Sequence, residues 1–279
     1  MLNNFFLLRK LNKENYFSEP FPHIIIENCL DDESYKLITE YYPSYNLFNV
    51  DINENNRRGD IFSNEILQSN EIHNVWQKFT EINNSTKFIE TIFNFFHKDI
   101  INIYPNQFKH KNDFLKYKQG IKNINDFKNS DLLIEMSMAI NTPVKISSAV
   151  RNAHLDKPKK IFTALYYLRD EFDKSNGGDL ILYKWKDGYS KNKKKFLYQE
   201  SLSNEHTNEV KRIKYEKNKL VLFINSINSL HAVSPRSVTE NYRKFCCITC
   251  SSQYSFNNFT PSSKIEDFKL KMLNRLNLL

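Results

Sequence analysis

Glycine, proline and cysteine are all scarce in this chain, which holds 5, 8 and 4 of them in 279 residues. Three of the four cysteines (Cys246, Cys247 and Cys250) crowd into one strand-like run, FCCITC, with Cys29 far away in sequence. That spacing argues against a disulfide framework of the kind that staples small secreted domains. Cys247 and Cys250 form C-x-x-C, but no second pair or histidine follows at zinc-site spacing, and on a strand their side chains point to opposite faces. Buried thiols in a reducing compartment are expected instead. Long apolar runs are missing too: no uninterrupted stretch could span a bilayer, and the apolar part of MLNNFFLLRKLNKENYF is too short for a secretory signal. The expected location is the cytoplasm, with no membrane partner. No internal repeat and no low-complexity linker divides the chain.

What is present is apolar and aromatic. A hydrophobic fraction of 40%, with 22 Phe and 15 Tyr, supplies enough surface to offset conformational entropy, so wholesale disorder is not expected. The length suits one domain or two closely packed ones. The formal charge is +8 and the isoelectric point is near 9.1. That balance would suit nucleic acid or another polyanion, but Lys and Arg are spread along the chain among many Asn and Ile, as an AT-rich genome also imposes. The densest basic stretch, Lys184 to Lys195 (KWKDGYSKNKKK), reads as a solvated hairpin loop, with a lid over a substrate as the functional alternative.

Along the chain, PFPHIIIENCLDDESYKLITEYYP gives a β-branched strand followed by a helix capped by Asp31 or Asp32. From Asn64 to about Lys98, apolar residues recur at three and four, predicting amphipathic helix broken near Asn83 to Thr86, with its Phe and Trp stripes in the core. Residues 101 to 130 read as loop with one short helix. After Leu132 the texture changes to short alternating or apolar runs at 132–140, 144–153, 161–168, 179–185, 209–215, 219–224, 230–234 and 243–252. Eight short strands predict a mainly β fold with α, an antiparallel barrel or jelly roll rather than a βαβ sheet. The division expected is an N-terminal strand-and-helix support over 1–131, a barrel core over 132–253 and an amphipathic C-terminal helix within 254–279. That last helix would cover the barrel or meet a second subunit, which makes the chain a monomer or a homodimer.

The chemistry-bearing stretch begins at RNAHLDKPKKIFTALYYL, with H-x-D at His154 and Asp156, and resumes at LHAVSP, with His231. Two imidazoles and one carboxylate on one face of a metal leave adjacent positions open for a bidentate ligand and dioxygen, and borderline nitrogen with hard oxygen suits Fe(II). H-x-D alone is weak, and a lone strand histidine is more often a satisfied polar residue than a ligand. The context is more specific. TALYYL and GGDLILY lie between the two pieces, and HAVSP (His231 to Pro235) is followed by RKFCCIT (Arg243 to Thr249). This run, about 132 to 253, resembles the prolyl 4-hydroxylase-like branch of the 2-oxoglutarate and iron(II)-dependent oxygenases, and PFPHIIIENCL resembles that family's N-terminal strand and helix.

The resemblance implies a double-stranded β-helix (jelly roll, cupin-like) and a dioxygenase that uses Fe(II), 2-oxoglutarate and O2, with ascorbate as an optional helper. The products would be succinate, CO2 and a hydroxylated small-molecule or peptidyl substrate. It implies iron ligands at His154, Asp156 and His231. Arg243 would pair with the distal carboxylate of 2-oxoglutarate, a task suited to a planar guanidinium. Arg243 stands twelve residues after His231, farther than the family's usual spacing, and Arg236 is the rival. Alternation favours Arg243, because 243, 245, 247 and 249 share a face whereas Arg236 falls in the turn after Pro235. Phe245 replaces the family's frequent small hydroxyl residue. Tyr167 and Thr163 share a strand face and are expected on the co-substrate, with Tyr166 facing outward; core packing is the bland role for Tyr167. Arg151 is expected either to reach substrate or to pair with an acid. Asp179, after Gly177 and Gly178, is expected as a turn residue rather than a fourth ligand. The alternative function is a non-catalytic jelly-roll module, binding or structural, that keeps the metal site.

Overall fold

Alternating and fully apolar runs become strands here because each is packed on one or both faces. The computed structural model describes residues 2–149, 151–187, 202, 205–253, 268, 269 and 272. Its strands are β1 (Tyr16–Phe17), β2 (His23–Ile26), β3 (Arg58–Phe62), β4 (Gln119–Ile121), β5 (Leu132–Asn141), β6 (Lys160–Tyr167), β7 (Leu180–Trp185), β8 (Thr207–Ile213), β9 (Lys219–Ile224), β10 (His231–Val233) and β11 (Arg243–Ser252). The larger sheet runs β1-β2-β9-β6-β11-β5-β3, antiparallel throughout, with β4 added in parallel to β5. The smaller runs β10-β7-β8. Two antiparallel sheets facing each other form the jelly roll the strand spacing predicted.

The larger sheet has two covered faces, which explains the all-apolar reading of β9. Leu220, Leu222 and Ile224 face the helical layer, as do Cys246, Ile248 and Cys250 of β11. Val221, Phe223, Phe245 and Tyr167 face the smaller sheet, packed against Leu180, Leu182, Ile213 and Tyr215. Tyr166 faces away from the barrel interior, as expected. It is nevertheless fully buried, because helices cover that face; its hydroxyl donates to Asn218 Oδ1 at 2.9 Å.

The helical layer comprises α1 (Asp32–Glu40), α2 (Ser63–Gln68), α3 (Asn74–Asn83), α4 (Thr86–Phe95) and α5 (His97–Ile103). Asp31 caps α1 by accepting from the Ser34 amide at 2.8 Å. The helical stretch expected from 64 to 98, with one break near Asn83 to Thr86, is interrupted there and at two further places. At the break near residue 83, the Asn83 side chain accepts from Leu7 N–H and donates to the Phe5 carbonyl, tying the N-terminal segment to the helix end. β1 to β4 belong to the region expected as support, yet they pair into the same sheet as the barrel core.

The segment 144–153 is not a strand. Among its described residues single bridges form at Val144–Thr239 and Ser148–Arg236, because Asn55 Oδ1 takes the amides of Lys145 and Ile146 and replaces a strand ladder. Lys184 and Trp185 of the basic stretch are the end of β7, and the rest from residue 188 on lies outside the described residues. So does the C-terminal helix apart from Phe268, Lys269 and Met272, which are helical. Among the described residues no helix is long and apolar enough to cross a membrane. All four cysteines are unpaired thiols.

Candidate metal centre

His154 lies in the loop before β6, and His231 opens β10. Their backbones exchange two hydrogen bonds, of 3.0 and 3.1 Å, so the loop pairs with the smaller sheet at His154. Directly paired residues project their side chains to the same face, and the two ring centroids are 4.3 Å apart. Asp156 completes a cluster in which one ligand atom from each residue lies within 4.8 Å of the others. Among the described residues no other His, Cys, Asp or Glu group is arranged this way.

Each imidazole is oriented by the carbonyl two residues before it. His154 Nδ1 donates to Asn152 O at 2.7 Å, and His231 Nδ1 donates to Ser229 O at 2.9 Å. A carbonyl only accepts, so Nδ1 carries the proton and Nε2 keeps its lone pair for a metal. Burial pushes both imidazoles below their ordinary value, His154 far below with His231 adding to the effect. For Asp156, burial alone would raise the carboxyl, but the Lys160 ammonium at 3.2 Å, the two histidines and the Thr163 hydroxyl hold it well below the usual carboxylate range. At neutral pH the donor set is two neutral imidazoles and one carboxylate, which fits Fe(II).

Thr163 corrects an expectation. Its hydroxyl donates to Asp156 Oδ2 at 2.7 Å and accepts from Asn225 Nδ2 at 3.1 Å. A hydroxyl has one proton, so Thr163 has no donor left for a co-substrate carboxylate and instead orients Asp156. Asn225 is held in turn by the Tyr104 hydroxyl on its carbonyl, at 2.5 Å.

Arg243 and Arg236 are both buried and differently used. Arg236 pairs with Asp173 at 2.7 Å, and donates to Ser175 Oγ and the Asn241 carbonyl. Arg243 makes no ion pair among the described residues. Its Nε donates to Gly178 O at 3.0 Å, its Nη1 reaches Asn141 Oδ1 at 3.5 Å, and its Nη2 is buried without a partner. Rings of Tyr167, Tyr215 and Phe245 surround the guanidinium at 5.1, 4.8 and 4.7 Å. The Tyr167 hydroxyl is also buried and unpartnered, and burial raises its pKa to about 12, with Arg243 opposing. Two unfilled donors side by side inside the barrel fit one end of a dicarboxylate such as 2-oxoglutarate.

Glycine has a specific task beside this pair. Gly177 and Gly178 have φ of +82° and +74°, and a Cβ on Gly178 would lie 3.2 Å from Arg243 Nε. Asp179 accepts from the Tyr215 amide at 3.0 Å and faces Arg212, as a turn residue should. The Arg151 side chain is exposed, and its carbonyl accepts from Val233 N–H of β10. Lys160, Asn225 and Tyr215 were not legible as site residues, because only the pairing of distant strands brings them here.

Residues 147–249 match the family model of the 2OG-Fe(II) oxygenase superfamily. No curated protein matches the chain. Among solved structures, the chain is similar to a prolyl 4-hydroxylase of Phytophthora capsici (14% identity, TM-score 0.42, covering 92% of this chain and 68% of that one). It is also similar to a putative oxygenase of Shewanella oneidensis (10%, 0.49, 92% and 91%) and to the Arabidopsis thaliana dioxygenase for auxin oxidation (9%, 0.46, 86% and 88%). With likeness this low, the assignment rests on the family match and the His–Asp–His cluster, which together define an oxygenase enzyme. Residues 147–249, which hold His154, Asp156 and His231, are similar to the 2OG-Fe(II) oxygenase superfamily, and this match together with the cluster supports a dioxygenase that works with Fe(II), 2-oxoglutarate and O2.

Proposed function

We propose that His154, Asp156 and His231 hold the iron, that Arg243 and Tyr167 hold the distal carboxylate of 2-oxoglutarate, and that the enzyme hydroxylates a small-molecule or peptidyl substrate. The observation that carries this reading is the mutual backbone pairing of His154 and His231 with Asp156 beside them. When bound, iron(II) and 2-oxoglutarate supply dioxygen activation, with succinate and CO2 released. The chain's own residues do the rest. Asn152 and Ser229 fix the imidazole tautomers, and Thr163 and Lys160 hold the Asp156 oxygens so that the carboxylate presents one geometry. Arg243 sits in an aromatic cage that excludes water, so a carboxylate meeting its free Nη2 does so at low dielectric. We also infer a cytoplasmic location, supported by four unpaired thiols.

Anaerobic addition of Fe(II) and 2-oxoglutarate tests the ligand set. The wild-type chain should develop a weak visible charge-transfer band, and His154→Ala should lose it. An unchanged band in His154→Ala would refute the ligand assignment.

A further inference from the structure

A second polar site opens beside the first, formed by residues that precede or only just enter the family match. Asn55, Asn56, Arg57, Arg58, Asp60, Ser148 and Ala149 line a cleft of about 480 Å³. Its inner wall is Arg58, whose guanidinium lies 5.2 Å from the centre of the Phe245 ring. The Arg243 guanidinium lies 4.7 Å from the same ring. Phe245, standing where the family often has a small hydroxyl residue, therefore touches one cation in the barrel and one in the cleft. Arg58 on β3 lies opposite Asn141 of β5, which lies opposite Arg243 of β11. The cleft thus adjoins the Arg243 end of the barrel interior.

Its hydrogen-bonding groups are mostly donors once internal bonds are subtracted. Asp60 is spent: its oxygens accept from Arg58 Nε and Nη2 at 2.8 and 2.6 Å, and from Ser137 Oγ at 2.9 Å. Among the described residues, Arg58 Nη1 meets no oxygen acceptor. Asn55 Oδ1 is taken by two backbone amides, and its Nδ2 by Ile146 O and Ser148 Oγ. Ser148 Oγ accepts from both Asn55 and Asn56, so its own proton is left to donate. Arg57 is exposed and paired only loosely, at 3.4 Å, with Glu54. One acceptor is left over, the buried Oδ1 of Asn56. Two guanidinium groups and a hydroxyl proton facing one cleft call for an acceptor-rich, negatively charged group.

We infer that this cleft binds an anionic group of the primary substrate, a carboxylate or a phosphate ester, through Arg57 and Arg58, and so selects acidic substrates for the iron site. The inference rests on the oxygenase reading for the word substrate, but the binding itself needs no turnover. The test is calorimetric titration of the full chain, anaerobic and saturated with Fe(II) and 2-oxoglutarate. The probes are N-acetyl-aspartate methylamide, its phosphoserine counterpart and its asparagine counterpart. One anionic probe should bind about tenfold more tightly than the neutral one, as expected of charge-assisted hydrogen bonds, and which one wins distinguishes carboxylate from phosphate. Arg57→Gln, which changes an exposed side chain paired only loosely with Glu54, should weaken that probe about threefold or more. Arg58→Lys, which keeps the charge and loses the fork, should weaken it as well. Equal binding of all three probes, binding of none, or affinities unchanged in both variants would overturn the inference. A missing charge-transfer band in the wild type would refute the oxygenase reading, and the titration would still decide on the cleft.

Discussion

Replacing Arg243 by Met should separate ligand binding from fold stability in opposite directions from replacing Arg236. Arg243 is a buried cation with no carboxylate partner among the described residues and with Nη2 unbonded. Desolvating such a charge costs several kcal/mol, offset in part by hydrogen bonds to Gly178 and Asn141 and by three ring contacts of roughly 0.5–2 kcal/mol each. Met removes the cost and the gain together, so unfolding of the ligand-free chain should change by no more than about 2 kcal/mol. With 2-oxoglutarate the variant lacks a desolvated charged partner, a loss of about 2–5 kcal/mol, or about 30-fold to several thousand-fold in affinity. Arg236→Met breaks a fully buried pair with Asp173 and should cost about 3–5 kcal/mol of stability. Titration of 2-oxoglutarate against the anaerobic iron band gives the affinity, and urea unfolding gives the stability. A 2-oxoglutarate affinity changed by less than about threefold in Arg243→Met would refute the reasoning.

Thr163→Val removes the proton that holds Asp156 Oδ2 and should weaken iron binding about 10- to 100-fold by metal titration, whereas Thr163→Ser should restore it. Gly178→Ala puts a side chain at φ +74° and 3.2 Å from Arg243 Nε, so it should lower both stability, by about 1–2 kcal/mol, and 2-oxoglutarate affinity. Gly177→Ala would place Cβ 1.8 Å from the Pro235 carbonyl oxygen and should leave little folded protein in a solubility assay. His23 is buried with Nδ1 donating to Phe21 O and Nε2 facing Lys211; burial lowers its pKa from 6.5 to about 4. The unfolded chain therefore binds the extra proton first. His23 should contribute stability that is full above pH 6.5 and lost as pH falls toward 4, up to about 3 kcal/mol, and His23→Gln should flatten that part of the unfolding profile.

The strands were legible where one residue pattern met one environment. β9 and β11 begin and end within a residue or so of the apolar runs KLVLFI and RKFCCITCSS, because both faces of those strands are buried. The run 144–153 looked the same and is not a strand, since side chains of Asn55 and Asn56, ninety residues away in sequence, take its backbone groups. The metal-ligand candidates were legible because H-x-D and H-x-V-x-P are local patterns. Thr163 was placed on the right strand face but on the wrong partner, because its bond to Asp156 depends on how the loop 155–159 folds back. Arg58 was not legible at all. It reaches the site only because β3 pairs with β5, Arg58 opposite Asn141, which in turn lies opposite Arg243.

Three side chains and one arginine are proposed to assemble the oxygenase site. The most direct test of that assignment is a single turnover: the anaerobic complex of the chain with one equivalent of Fe(II) and excess 2-oxoglutarate is exposed to O2, and succinate is counted per chain. Wild type should yield up to about one succinate per iron in the first turnover, and His231→Ala should fall to the level of iron in buffer. No succinate above buffer from the wild type, or an undiminished yield from His231→Ala, would contradict that assignment.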